Sequence, residues 1–211
     1  MQVYPLFPLQ IVVFPHEDLN LHIFEPRYIE LIGDCKENGL KFGIPTFRKG
    51  YKLDYGTLVE LTKIEKTYPD GRMDIRTKGI EVLRVKKYLN KIPEKLYPGG
   101  ELALIKMDVE ADEDKCERIR DLLMELYSFM NIKVKPKALE KDIFYSTEVA
   151  HKAGFNFNQE YHFLQLFTEY ERQEYLLDHL QTLIPVAKNM EEMRKKIQLN
   201  GHFKDILPPK V

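Results

Sequence analysis

Two serines, six histidines, two cysteines and a few paired carboxylates are the side chains of this sequence with the means for covalent, acid–base or metal chemistry. A serine nucleophile needs a sharp elbow or a general base held beside it. Ser128 falls inside a helical pattern and Ser146 stands where a helix would begin, so both read as structural. The histidines, at positions 16, 22, 151, 162, 179 and 202, nowhere show the HExxH spacing that puts two metal ligands on one helix face. His162 and His179 read as packing or surface residues of amphipathic helices. A phosphate-cradling loop needs glycines followed by a lysine, and the chain contains no Gly-Lys dipeptide. Asp112-Glu-Asp and Glu191-Glu read as solvated helix faces. Cys35 and Cys116 form no CxxC or Cys/His spacing and sit at apolar helical positions, where thiols are structural. The inventory therefore predicts no enzyme, no metal site and no cofactor, in a reducing setting.

Bulk properties point the same way. The 211 residues carry 32 basic and 33 acidic side chains, a net charge of −1. No global field draws such a chain to phosphate, so nucleic acid is not an expected partner. The opening Met1-Gln-Val-Tyr-Pro-Leu-Phe-Pro-Leu lacks a basic n-region and a small-residue cleavage site. No apolar run approaches the roughly 18 residues that span a bilayer. These features predict a soluble, cytoplasmic protein that does not enter membranes.

The elements that would position any site change character near residue 110. Before it, β-type runs are punctuated by Pro and Gly; after it, the periodicity is helical. Leu9 to Phe14 predicts a strand closed by Pro15. Glu25-Pro-Arg-Tyr opens a helix with Pro26 in its first turn, and Tyr28, Leu31, Ile32 and Cys35 mark its buried face. Asn38-Gly39 ends it. Lys41 to Phe47 and Gly56 to Lys66 predict strands, and Tyr68-Pro-Asp-Gly-Arg predicts a turn returning Met73 to Thr77 as hairpin partner. Glu81 to Tyr88 and Glu101 to Met107 predict two more strands. Beyond them, Asp112-Glu-Asp heads a helix with Cys116, Ile119, Leu123, Leu126 and Met130 on one stripe. Ser146 predicts the cap of a short helix ended by Gly154, and Asn158 the cap of another carrying Tyr161, Phe163, Leu164 and Phe167. A last helix carries Leu176, Leu180, Leu183, Ala187, Met190 and Ile197, with Pro185 expected to kink or interrupt it.

Several blocks of the first half then carry a family resemblance. Phe7-Pro-Leu, Val13-Phe-Pro and Leu21-His-Ile-Phe-Glu-Pro-Arg-Tyr resemble the opening signature of Lon-protease N-terminal domains. Phe42-Gly-Ile, Gly56-Thr-Leu-Val-Glu-Leu, Pro69-Asp-Gly-Arg, Lys78-Gly79 and Tyr97-Pro98 follow in the family's order. The helical second half looks like that family's C-terminal subdomain, with Ser146 to Ala153 and Thr168 to Leu183 as the better matches. After Gly79 the chain departs from the family's Arg-Phe-type pair and reads Ile-Glu-Val-Leu-Arg. The resemblance implies an α+β protein: a PUA-like, mostly antiparallel β-barrel-type subdomain over residues 1–110 and a C-terminal helical bundle over 111–211. It implies a non-catalytic, substrate-binding or adaptor role, associated with proteolysis, whose partners are unfolded or specific proteins, and it admits self-association. Lon's ATPase and protease domains do not fit in this length, so a stand-alone form is expected. Fold-level analogy also admits a nucleic-acid-binding module, since PUA-like folds host RNA recognition and Lys86, Lys87, Lys91 and Lys95 could form a patch.

Three features offer a binding surface for a polypeptide. The loop from Phe47 through Tyr51 to Tyr55 carries aromatic and arginine side chains of the kind that anchor interfaces. Phe155 and Phe157 lie in a loop between helices. The edge of the β half could accept an extended chain as an added strand. Phe47, Tyr51, Tyr55, Phe155 and Phe157 are the expected partner-binding residues.

Overall fold

Six strands and four helices follow one another in an arrangement that leaves every strand before every long helix but one. They belong to a computed structural model that describes residues 2–48, 54–108 and 110–201. The strands are β1 (Val3–Pro5), β2 (Asp18–Ile23), β3 (Phe42–Pro45), β4 (Tyr55–Thr67), β5 (Met73–Leu89) and β6 (Gly99–Ile105). Helix α1 (Pro26–Asn38) interrupts them, and α2 (Glu113–Met130), α3 (Phe157–Leu164) and α4 (Glu169–Gly201) follow. The sheet order is β1-β6-β5-β4-β3, all antiparallel, with β2 added to the first part of β5. Parallel bridges from Leu6 to Gly43 and from Leu9 to Thr46 join the chain after β1 to β3 and its extension. That contact closes the sheet on itself, the barrel-type form expected.

Local chemistry fixes several of these elements as the sequence predicts. In α1, Tyr28, Leu31, Ile32 and Cys35 are buried, and Gly39 takes the left-handed conformation at φ 63° that ends the helix. Gly71 takes φ 89° in the turn that returns β4 into β5. The strands expected at Met73 to Thr77 and Glu81 to Tyr88 are one 17-residue strand, β5, which pairs with β2, β4 and β6. Gly79 in its middle lets Phe14 and Pro15 cross closely: a Cβ there would collide with the Phe14 carbonyl oxygen. Strands β1 and β2 had no prediction, being short or polar on alternate residues.

Other expectations give way to tertiary structure. Leu9 to Phe14 forms no strand. Its alternation is real but serves two cores, because Val13 packs among the barrel and α1 residues while Val12 and Phe14 pack among the helices. Side chains satisfy part of its backbone: the Thr57 hydroxyl donates to the Val13 carbonyl, and the Phe14 N–H donates to the Glu17 carboxylate at 3.0 Å. The short helix at Ser146 is two 3₁₀ turns, Ser146–Glu148 and Ala150–Lys152, and Tyr145 holds the position before the first. Asn156, not Asn158, caps α3, accepting from the N–H groups of Asn158 and Gln159. Pro185 does not interrupt α4.

The helical core joins α2 to α4 through Ile119, Leu123, Leu126, Phe163, Leu176 and Leu180. A buried ion pair completes it. Arg172 meets Glu169 at 2.8 Å and donates to the carbonyls of Leu166 and Asp108, each at 2.8 Å. Glu169 accepts from the Ser146 N–H at 2.6 Å. Four chain segments thus converge on one pair whose donors and acceptors are matched, the condition under which a buried charge is tolerated.

Candidate functional site

The structure divides the five predicted binding residues. Phe47 is 47% exposed on the barrel loop. The next residue, Arg48, places its guanidinium 5.3 Å from the Phe157 ring centre and donates to the side-chain amide oxygen of Asn158 at 3.0 Å. The barrel loop is therefore pinned to the first turn of α3, and Phe157 is half-buried beneath that contact. Tyr55 is half-buried in the same seam: its N–H donates to the Tyr161 hydroxyl at 3.1 Å, and its ring lies 6.0 Å from Phe167. Phe155 packs elsewhere, against Phe163, Tyr175 and His179. Tyr51 lies outside the described residues. Phe47 alone of the four described stands as an exposed aromatic; the other three spend their surface on packing.

The seam between barrel and helices also holds His151. Its Nδ1 meets Glu160 at 2.8 Å and its Nε2 meets Glu17 at 3.1 Å, with the Phe14 ring 4.7 Å away. Burial alone would lower its pKa, but the hydrogen bonds it donates to the two carboxylates, with their charges, outweigh burial and raise it to about 9. A charged imidazolium therefore bridges the barrel to α3. The carboxylates grip opposite nitrogens of the ring, so they share no point where a metal ion would sit. Among the described residues no group of three or more His, Cys, Asp or Glu is arranged to hold one. Cys35 and Cys116 are buried free thiols, and burial pushes Cys35 up to about 12, which makes it inert.

A third region went unread in the sequence. Where α2 ends, Phe129 and Met130 form one wall of a groove, and Leu183, Val186, Met190, Met193 and Ile197 of α4 form the other. The groove has a volume of about 620 Å³. Its walls are not tucked into the body: Met130 is 54% exposed, Val186 52%, Met190 67%, Met193 62% and Ile197 68%. The polar side chains at its edge are few. Glu191 is held by Arg194 at 2.8 Å and by Lys195 at 3.7 Å. Asn131, in the left-handed conformation that ends α2, joins it to a smaller hollow bordered by Lys133 and Lys135. An apolar surface of this kind, rimmed by charge, is a place for another molecule to lie. Its signal in the sequence was the apolar stripe running past Ile184, most of which stays exposed among the described residues.

Comparison with known proteins agrees with the fold. Residues 3–199 match the family model of the ATP-dependent protease La (Lon) substrate-binding domain. Among solved structures, a Lon N-terminal domain protein from Xanthomonas campestris superposes with a TM-score of 0.64 at 24% identity, covering 84% of this chain and 98% of that one. The N-terminal domain of the Mycobacterium avium complex Lon protease superposes with a TM-score of 0.62 at 10% identity, covering 85% of this chain and 98% of that one. At these identities the two structures speak for the fold.

Proposed function

The chain belongs to the family of ATP-dependent protease La (Lon) substrate-binding domains, and on that premise we propose that it recognises polypeptides through the groove between α2 and α4, as an adaptor in protein quality control. The observation that carries this is the exposed, methionine-lined groove itself. Methionine is unbranched and polarisable, so a surface built from Met130, Met190 and Met193 can fit many apolar side chains without a fixed shape. That suits a module whose partners are exposed apolar segments of unfolded chains. Phe47, with Tyr51 four residues further along the sequence, supplies a second contact on the barrel side. The seam residues Tyr55 and Phe157 support that surface from below, and Phe155 packs within the helices behind α3. A reducing, cytoplasmic setting belongs to the same proposal, supported by two buried free thiols.

Ordering a flexible partner costs several kcal/mol, so a small contact gives transient binding. The test is fluorescence anisotropy with a labelled, permanently unfolded polypeptide, set against a folded protein and a short RNA carrying the same label. Saturable binding of the unfolded chain alone is expected, and Met190→Asp with Met193→Asp should abolish it. Binding that survives this pair but falls with Phe47→Ala and Tyr51→Ala would move the site to the barrel loop. Preference for the RNA would replace polypeptide recognition altogether.

A further inference from the structure

The groove between α2 and α4 is walled by apolar side chains, and the two charged side chains that line it, Glu191 and Arg194, are paired with each other at 2.8 Å. Its occupant is therefore selected by apolar fit and by access rather than by charge. The chain itself supplies a segment with both. Helix α4 ends at Gly201, and Asn200-Gly201 repeats the Asn38-Gly39 pair with which α1 stops and its chain turns at φ 63°. Beyond Gly201 the sequence reads His-Phe-Lys-Asp-Ile-Leu-Pro-Pro-Lys-Val. Pro208 and Pro209 cannot continue a helix, and Pro208 biases Leu207 before it toward extended backbone. Phe203, Ile206 and Leu207 are thus three large apolar side chains tied to the open end of the groove.

The lengths agree. Ile197, Met193 and Met190 lie four, eight and eleven residues before Gly201, about 6, 12 and 17 Å back along the axis at ~1.5 Å per residue. An extended chain advances about 3.4 Å per residue, so Phe203 reaches about 7 Å from Gly201 and Ile206 about 17 Å. A chain that reverses at Gly201 therefore brings Phe203 level with Ile197, and Ile206 level with Met190. A tethered segment also meets the groove at an effective concentration on the order of mM. A contact too small to hold two free molecules together fills the groove at that concentration, which favours this segment over a second copy. We propose that residues 203–207 fold back from the end of α4 and dock in the α2–α4 groove, so that a polypeptide must displace them to bind. The docking stands on the groove's geometry; the competition rests on the assignment of the groove to polypeptide binding.

The full chain carrying Phe203→Asp, Ile206→Asp and Leu207→Asp tests this. In the free protein at low concentration, methionine-methyl NMR should show the Met190 and Met193 signals displaced in the variant. Met73, buried in the other core, should stay in place and so report that the fold is kept. Anisotropy with the permanently unfolded polypeptide should show roughly tenfold tighter binding to the variant, as expected when a tethered competitor that is docked most of the time is removed. A synthetic peptide of residues 202–211 should compete with the polypeptide on the variant. Groove methyls and affinity that match the parent would overturn the docking, and a polypeptide that still shifts those methyls would leave recognition standing. Displaced groove methyls with no polypeptide binding to either form would keep the docking and remove the recognition. Groove-methyl shifts that grow with protein concentration, alongside a dimer in sedimentation equilibrium, would give the groove to a second copy instead.

Discussion

Helix α4 is one continuous helix with two fates. Its inner part, from Glu169 to Ile184, buries Leu176, Leu177 and Leu180 against α2 and matches every charge it hides. Its outer part, from Val186 to Ile197, carries an equally apolar stripe and leaves it open. Both parts carry apolar residues on one side of the helix; among the described residues only the inner part has a surface that covers them. An apolar stripe is thus a demand for a partner, and among the described residues that demand is met for the inner part only.

The two parts should separate most sharply under substitution. Leu180→Ala opens a cavity in a site with no room to collapse and should cost roughly 2–5 kcal/mol in chemical denaturation. Arg172→Met strands the buried Glu169 carboxylate and should cost a similar roughly 3–5 kcal/mol. If either variant were as stable as the parent, the inner part would not be the anchor described. A smaller effect comes from the barrel side: Gly79→Ala forces a Cβ onto the Phe14 carbonyl and should cost about 1–3 kcal/mol. Smaller again is the His151 bridge. Its pKa is raised from the unfolded value, so its stabilisation is complete below about pH 6.5 and is lost as pH rises through about 9. Solvent screens this partly exposed cluster, which leaves about 1–2 kcal/mol. His151→Gln should flatten the alkaline fall in stability, and an unchanged fall would assign it to other groups. Least of all, Met193→Ala on the outer part should change stability by less than about 0.5 kcal/mol while weakening polypeptide binding. A stability loss as large as that of Leu180→Ala would mean the outer stripe is core.

How much of this was legible depends on whether a residue's role is local. The face of α1, the Gly39 stop and the turn at Gly71 follow from spacing and backbone preference, and they stand where the sequence puts them. The Leu9 to Phe14 run misled because alternation reports two-sided burial, and here the two sides are separate cores rather than the faces of a sheet. Ser146 misled because it begins a 3₁₀ turn whose preceding residue, Tyr145, makes no side-chain cap bond; Asn158 misled because Asn156, two residues earlier, could cap as well and does. Of the aromatic residues expected as binding anchors, Phe157 and Tyr55 are drawn into the seam by Arg48 and Tyr161, a contact no spacing in the sequence announces. The groove was missed for the opposite reason. Met130, Met190 and Ile197 sit on stripes that read as buried, and no pattern within one helix says where its partner ends.

In the proposed function the open stripe is the main contact for the polypeptide and the barrel loop a secondary one. Methyl NMR of the protein labelled at its methionine methyl groups tests it most directly, because Met130, Met190 and Met193 line the groove while Met73 is buried in the other core. On titration with a permanently unfolded polypeptide, the three groove methyls should shift and broaden together and Met73 should not move. Saturable binding that leaves all three groove methyls unmoved would contradict the account.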